Sequence, residues 1–405
     1  MTRAAYGVGP AAAVLRPRVR PAASKPLRGF GAVLGRALAG TPPRPAASAP
    51  PGRPTAAPAP GAAAAPAPGP GVGAAAALGG GPPPAAPTPL RLEDFPRPPG
   101  DNGWGIHWIP TLRQPPEVVD RFVREAKEMG IKWVVFLNDD AKVGDNDYLV
   151  KRLVENGIMP IMRIYTPNGR PIQGDLAALV RHYTRLGVYY YQLYNEPNLN
   201  VENPEGRPDI DRYLDRWVPA ARIVAANGGY PGFGALAPGG NMDDLEFLRI
   251  ALERLIARGE VDALDRAWLS MHNYMFNHPL DYAEDSNGYL KFRWYDRIVR
   301  EKLGRPMPII GTEGGAYPGA HEDRRFPPLS PEEQVRRVVD AYRYMDRREP
   351  YYFAFSYWVI ANEEGGGYDR AFTDHALFRP GGRVSPIVSA LKTLAGAARG
   401  KEVKH

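Results

Sequence analysis

The sequence predicts a (β/α)₈ TIM barrel, and three observations lead there. Eight short apolar runs alternate with amphipathic stretches over roughly 300 residues. Two acidic residues, Glu196 and Glu313, stand at the far ends of the fourth and seventh runs. The first run passes into "GIHWIPTLRQPP", which lacks the glycine-rich phosphate turn of an open doubly wound sheet, the competing architecture.

The barrel begins only where the composition changes. Residues 1–90 are dominated by Ala, Pro, Gly and Arg, with "PAPGAAAAPAPGPGVGAAAALGGGPPPAAP" as the extreme. Such a stretch has almost no large apolar side chains whose burial could offset its ordering entropy, so it is expected to be disordered, with semi-extended proline-rich pieces. It holds nine of the 51 basic residues and none of the 44 acidic ones, so the formal charge of +7 conceals about −2 over residues 91–405. On charge grounds the barrel is not a nucleic-acid binder; only the tail could hold a polyanion.

The first forty residues join basic residues to the short run "GFGAVLG" and then "RALAG". Arg36 interrupts that run, which is short for a signal-peptide core, so a linker or translated upstream sequence is the favoured reading. No run approaches the ~20 apolar residues of a membrane span. Without cysteine there are no structural disulfides or thiolate metal sites, a composition compatible with the cytosol and with export. From about Leu92 to residue 398 Trp, Tyr, charges and periodicity persist together. The expected organisation is a tail or linker (1–90), one catalytic domain (91–398) and a charged C-terminal tail (399–405).

Each element has its own justification. "GWGIHWIP" (103–110) ends in His107 and Trp108, which either line an opening or pack at the barrel rim. The helical pattern 116–130 follows, with Gly130 where a C-terminal cap belongs. "KWVVFLND" (132–139) leads to the pattern 146–157, capped by Asp145 or Asn146 and closed by Gly157. "MPIMRIYTP" (159–167) carries Arg163, and its helix, 174–187, stops at Gly187. "VYYYQLYNEP" (188–197) delivers Asn195 and Glu196 and is stopped by Pro197, before a helix over 209–229. The glycine-rich "GALAPGG" (234–240) is the weakest strand, followed by the pattern 243–260.

"AWLSMHNY" (267–274) ends in His272 and Tyr274, and its helix, 293–304, closes on Gly304. "MPIIGTEGG" (307–315) carries Glu313; the helix after it opens with Ser330, Pro331 and Glu333, a capping box with proline at the first helical position. "YFAFSYWVI" (352–360) includes Trp358 and precedes a last helix over 384–397.

In such barrels the active site lies at the C-terminal ends of the strands. Glu196 and Glu313, 117 residues apart, can therefore meet over one substrate. Two carboxylates at one mouth suit glycosidic bond cleavage: one protonates the leaving oxygen, the other attacks the anomeric carbon or activates water. Sharing a site pushes their pKa values apart, which sets an acid beside a base near neutral pH. Either acid alone would read equally well as a solvated loop carboxylate; their joint placement favours function.

"YNEPN" followed by "IIGTEGG" resembles the clan A glycoside hydrolases, retaining enzymes on (β/α)₈ barrels. The resemblance covers about 95–398 and is closest to the cellulase-like family 5, with the family 39 xylosidase type also similar at "NEPN". It implies Glu196 as acid/base and Glu313 as nucleophile, with Asn195 on the substrate 2-hydroxyl. "HNY" resembles the His-x-Tyr of family 5, which implies His272 near the acid/base and Tyr274 donating to the nucleophile. Trp358 would be the sugar platform, and Arg163 would hold the nucleophile ionised. In family 5 that arginine more often comes from an earlier strand and a histidine follows on the third; here Arg163 lies on the third, with no histidine beside it. The resemblance also implies export or the cell envelope and an oligo- or polysaccharide or simpler glycoside as partner.

The resulting expectation is a retaining β-glycosidase, with a non-catalytic glycan-binding barrel as the alternative, disfavoured because both acids are present. Tyr165, Phe276, Tyr317 and Tyr368 follow strand ends and could stack on sugar rings, though ordinary burial accounts for each singly. The acidic stretch "NDDAKVGDND" (138–147) lacks calcium-loop spacing, and His272 and His278 do not match a zinc helix motif, so no metal is expected. No nicotinamide, flavin or phosphate motif occurs, and no cofactor is expected.

Overall fold

Alternation of inward and outward side chains, broken at a few register shifts, builds the barrel. A computed structural model describes residues 89–284, 287–362 and 372–402. Its eight strands are β1 (Trp104–His107), β2 (Trp133–Asp139), β3 (Met159–Tyr165), β4 (Tyr190–Leu193), β5 (Tyr230–Leu236), β6 (Trp268–Tyr274), β7 (Ile309–Gly315) and β8 (Tyr352–Tyr357). They close in sequence order, all parallel, with β1 pairing both β2 and β8. The expected (β/α)₈ barrel is the observed one.

The helices after the strands are α1 (Pro116–Glu128), α2 (Asp147–Glu155), α3 (Leu176–Leu186), α4 (Ile210–Ala226), α5 (Asp244–Arg258), α6 (Phe292–Leu303), α7 (Pro331–Tyr344) and α8 (Pro386–Glu402). Asp175, Asp209, Asp243 and Ser330 each accept a hydrogen bond from the third amide of the helix they open. Glu333 does not complete the expected capping box with its side chain, which pairs with Arg336 and Arg337 instead. Asn146 caps α2 by position alone; its amide bonds the carbonyl of Leu137 and the side chain of Asn138.

Odd and even strand positions serve different cores. Ile106, Val134, Phe136, Met162, Ile164 and Tyr191 pack outward against the helices in the main cluster. Their sequence neighbours point inward and fill the barrel in tiers. The floor is apolar and aromatic: Trp133, Tyr190, Trp268 and Phe353, covered from below by Phe95. Leu90 and Leu92 pack on this floor, the Leu90 amide donates to Asp265 O at 3.0 Å, and Tyr190 OH donates to Pro96 O at 2.7 Å. Burial of each such side chain contributes about 1.5–3 kcal/mol. Above lies a polar tier, where the Ser270 and Thr312 hydroxyls are 2.8 Å apart. The mouth is aromatic again, with Tyr165, Tyr274, Phe276 and Trp358 in one cluster.

The fifth strand starts at Tyr230, four residues before the expected 234. Its glycines hid it. A β-carbon on Gly232 would stand 2.6 Å from the Trp268 ring, so the strand forgoes a side chain there to admit that indole. Helix α8 runs on to Glu402, through part of the segment expected as a tail; residues 403–405 lie outside the described residues. So do residues 1–88, where disorder is expected.

Candidate active site

Inward parity sets most of the site. Arg163 on β3 and His272 and Tyr274 on β6 all occupy inward positions above the polar tier, and all are buried. Strand β7 needs one irregularity. Its register against β6 shifts between Met271 and His272, pairing His272 with Glu313. Two consecutive side chains then serve the interior: Thr312 bonds Ser270, and Glu313 rises to the mouth.

Glu196 arrives by a different route. It lies past the end of β4, in a tight turn whose backbone is left-handed at Tyr194 (φ 65°) and Glu196 (φ 38°). Non-glycine residues enter that region at a cost, and the Glu196 amide is fixed there by a 3.0 Å bond to Ala235 O. The turn aims the carboxylate at the barrel axis.

The two acids meet around one histidine. His272 Nδ1 is 2.8 Å from Glu196 Oε1, and its Nε2 is 3.6 Å from Glu313 Oε1. One oxygen of Glu196, one ring nitrogen of His272 and one oxygen of Glu313 lie within 4.8 Å of one another. Arg163 forms a salt bridge to Glu313 Oε1, and Tyr274 OH donates to Glu313 Oε2 at 2.9 Å. Burial alone would raise the Glu313 pKa; the charges of His272 and Arg163, with the Tyr274 hydrogen bond, outweigh it and hold this carboxyl below its usual range. Burial, and then the Glu313 charge, push Tyr274 well above 10, so it remains a donor.

Several buried polar atoms at this mouth have no hydrogen-bond partner: His107 Nε2, Arg163 Nη2, Asn195 Oδ1 and His272 Nε2. Buried groups of this kind are normally satisfied, by protein or by ordered water, so this mouth is polar as well as aromatic. The His107 ring lies 4.2 Å from the Trp358 ring and tilted 57° to it, and burial lowers its pKa to about 3, leaving it uncharged. Trp358 lies in the mouth cluster, and its peptide bond to Val359 is cis.

Trp108 is not brought to the site. It follows the inward His107, so parity turns it outward onto Phe122 of α1, 6.3 Å away and edge-on, with its Nε1 donating to Gln114. Tyr165 and Phe276 belong to the mouth layer, Tyr317 stands at its rim, and Tyr368 lies outside the described residues.

Sequence reasoning missed a third carboxyl. Glu202, on a short turn after β4, is buried and accepts from Asn195 Nδ2 at 2.9 Å; the same nitrogen is 3.5 Å from Glu196 Oε2. Burial, and then the Glu196 charge, raise its pKa to about 8. No motif announces it, since its turn has no periodicity.

Glu196, His272 and Glu313 offer three metal-ligand atoms, but His272 Nδ1 is engaged with Glu196 and the Arg163 guanidinium pairs with Glu313, where a cation's charge would go. This geometry does not fit a metal. In the acidic stretch 138–147, Asp139 pairs with Lys142, Asp140 with Arg170 and Asp145 with Arg113.

The chain forms a (β/α)₈ barrel with its polar cluster at the C-terminal mouth, and it is similar in fold to solved structures. A family 39 glycoside hydrolase from the gut symbiont Bacteroides cellulosilyticus WH2 is similar at a TM-score of 0.54 and 16% identity, over 75% of this chain and 64% of that one. This chain thus spans less than two thirds of that relative's length. A family 39 β-xylosidase from Caulobacter crescentus has a TM-score of 0.49 and 18% identity, over 74% and 72%. An endo-β-1,4-glucanase from Xanthomonas axonopodis pv. citri has 0.41 and 14%, over 72% and 98%. No protein-family model and no curated protein matches the chain.

Proposed function

We propose that the chain is a retaining glycoside hydrolase acting on β-glycosides. The observation that carries this reading is the pair of buried carboxyls whose oxygens approach within 4.8 Å at one barrel mouth. An approach this near supports the ~5–5.5 Å carboxyl separation of retaining enzymes over the ~6.5–9.5 Å that leaves room for an inverting water. The barrel shared with a family 39 glycoside hydrolase supports the class.

The partners of each acid support a division of roles. Glu313, held ionised by Arg163, attacks the anomeric carbon as the bond to the leaving oxygen breaks. Glu196, beside His272, gives its proton to that oxygen. Water then replaces the leaving group; Glu196 takes its proton, the hydroxyl attacks the anomeric carbon, and the Glu313 ester opens. Asn195 Oδ1, buried without a partner, is placed to accept from a sugar hydroxyl, and the Trp358 ring offers an apolar face to the sugar.

A panel of fluorogenic β-glycosides differing in the sugar tests this, with Glu313→Ala as control. Turnover that the variant loses by a factor of at least about 10³ is expected, with the first-formed product keeping the β configuration by NMR. A first-formed α product would point to inversion. Binding with no turnover of any glycoside would make the barrel a glycan-binding module.

A further inference from the structure

Beside Glu196 lies a cavity of ≈ 160 Å³. Among the described residues its wall includes Leu199, Pro238, Gly240, Phe276 and Tyr317, and it touches Glu196 without touching Glu313, Asn195 or Trp358. The group that protonates a departing oxygen must border the departing side. A space that reaches Glu196 alone of the two acids therefore lies on that side.

The turn and the tyrosines of this wall spend their hydrogen-bond donors within the protein. The turn Ala237–Gly240 directs each N–H back into the protein: Ala237 to Asn198 Oδ1 at 2.9 Å, Gly239 to Asp244 Oδ1 at 3.3 Å, and Gly240 to Ala237 O at 3.3 Å. Pro238 has none to give. Close packing holds the turn in this state, since a β-carbon on Gly240 would stand 2.4 Å from Asn198 Nδ2. Across the cavity the Tyr317 hydroxyl is spent on Glu322 at 2.9 Å, and that of Tyr274 on Glu313.

Beyond the Glu196 carboxyl, what remains is mostly apolar surface and ring faces. Phe276 is held at φ 50°, and Tyr317 lies against the ring of His375 at 4.7 Å. Burial lowers the His375 pKa to about 3, so this ring too is uncharged. Pockets for drug-sized ligands run to about 300–1,000 Å³; this one is smaller and suits a single ring.

We propose that this cavity is the leaving-group subsite and that it takes a compact aromatic aglycone, of the phenyl class, in preference to a second sugar. The inference rests on the hydrolase reading, and the test separates the two. The probes are uncleaved thioglycosides, so that leaving-group reactivity does not enter: phenyl and methyl 1-thio-β-glycosides and thio-linked disaccharides, each in gluco, xylo and galacto forms. Competitive inhibition constants are measured against the fluorogenic panel, and binding to Glu313→Gln by calorimetry.

The phenyl compound of the accepted sugar is expected to bind at least about tenfold tighter than the methyl compound and the disaccharide. Leu199→Ala and Tyr317→Ala, on separate loops, are each expected to narrow the phenyl-to-methyl ratio several-fold. Equal binding, or a preferred disaccharide, in an enzyme that turns over the panel overturns this inference and leaves the hydrolase standing. Phenyl preference without turnover of any glycoside retains the subsite and overturns the hydrolase. Neither binding nor turnover overturns both.

Discussion

Replacing Glu202 by glutamine isolates the energetics of the third carboxyl. In the folded protein burial and the Glu196 charge raise the Glu202 pKa to about 8, from an ordinary value of 4.5. The folded state thus keeps a proton that the unfolded chain releases above about pH 4.5. The stability this confers is complete below that pH and is lost progressively as pH rises toward 8. Each pH unit between the two values is worth about 1.36 kcal/mol, so wild type forfeits about 2.7 kcal/mol between pH 5 and pH 7. Glutamine still accepts from Asn195 and has no proton to lose. Urea unfolding of both proteins at pH 5, 6, 7 and 8 reads the difference. Near-equal stability at pH 5, with the variant about 2–3 kcal/mol more stable at pH 7, is expected. Curves that stay parallel across the range would refute the reasoning, because an acid ionised throughout leaves no such slope.

Arg163→Gln removes a cation that holds Glu313 ionised, so the acidic limb of kcat/KM is expected to move up by at least about one pH unit; a pH–rate profile with an unmoved limb counts against that pairing. Lys291→Met strands Asp244, which is fully buried and accepts from Lys291 Nζ at 2.6 Å. A loss of about 3–5 kcal/mol is expected by denaturant titration, with partial recovery on adding Asp244→Leu. Gly240→Ala forces Asn198 away from the turn it braces and is expected to cost about 1–3 kcal/mol, read as a lowered unfolding midpoint.

The fold was legible because a parallel barrel repeats one unit eight times, and each unit carries both periodicities. The acids Glu196 and Glu313 were legible because proline and glycine punctuate the strand ends that present them. Parity was not. "IHW" gives no sign of whether His107 or Trp108 faces inward; that depends on β1 pairing with β2 and β8, which sets the phase of alternation from distant strands. Glu202 was invisible for another reason. Its position depends on an irregular turn folding back over the site, and its pKa on burial by residues remote in sequence. In β5, glycines that admit a tryptophan look in one dimension like a loop.

The plug under the barrel has a geographical consequence. Residues 89–95 seal the end of the cylinder opposite Glu196 and Glu313, so the floor is closed and both acids open onto the other end.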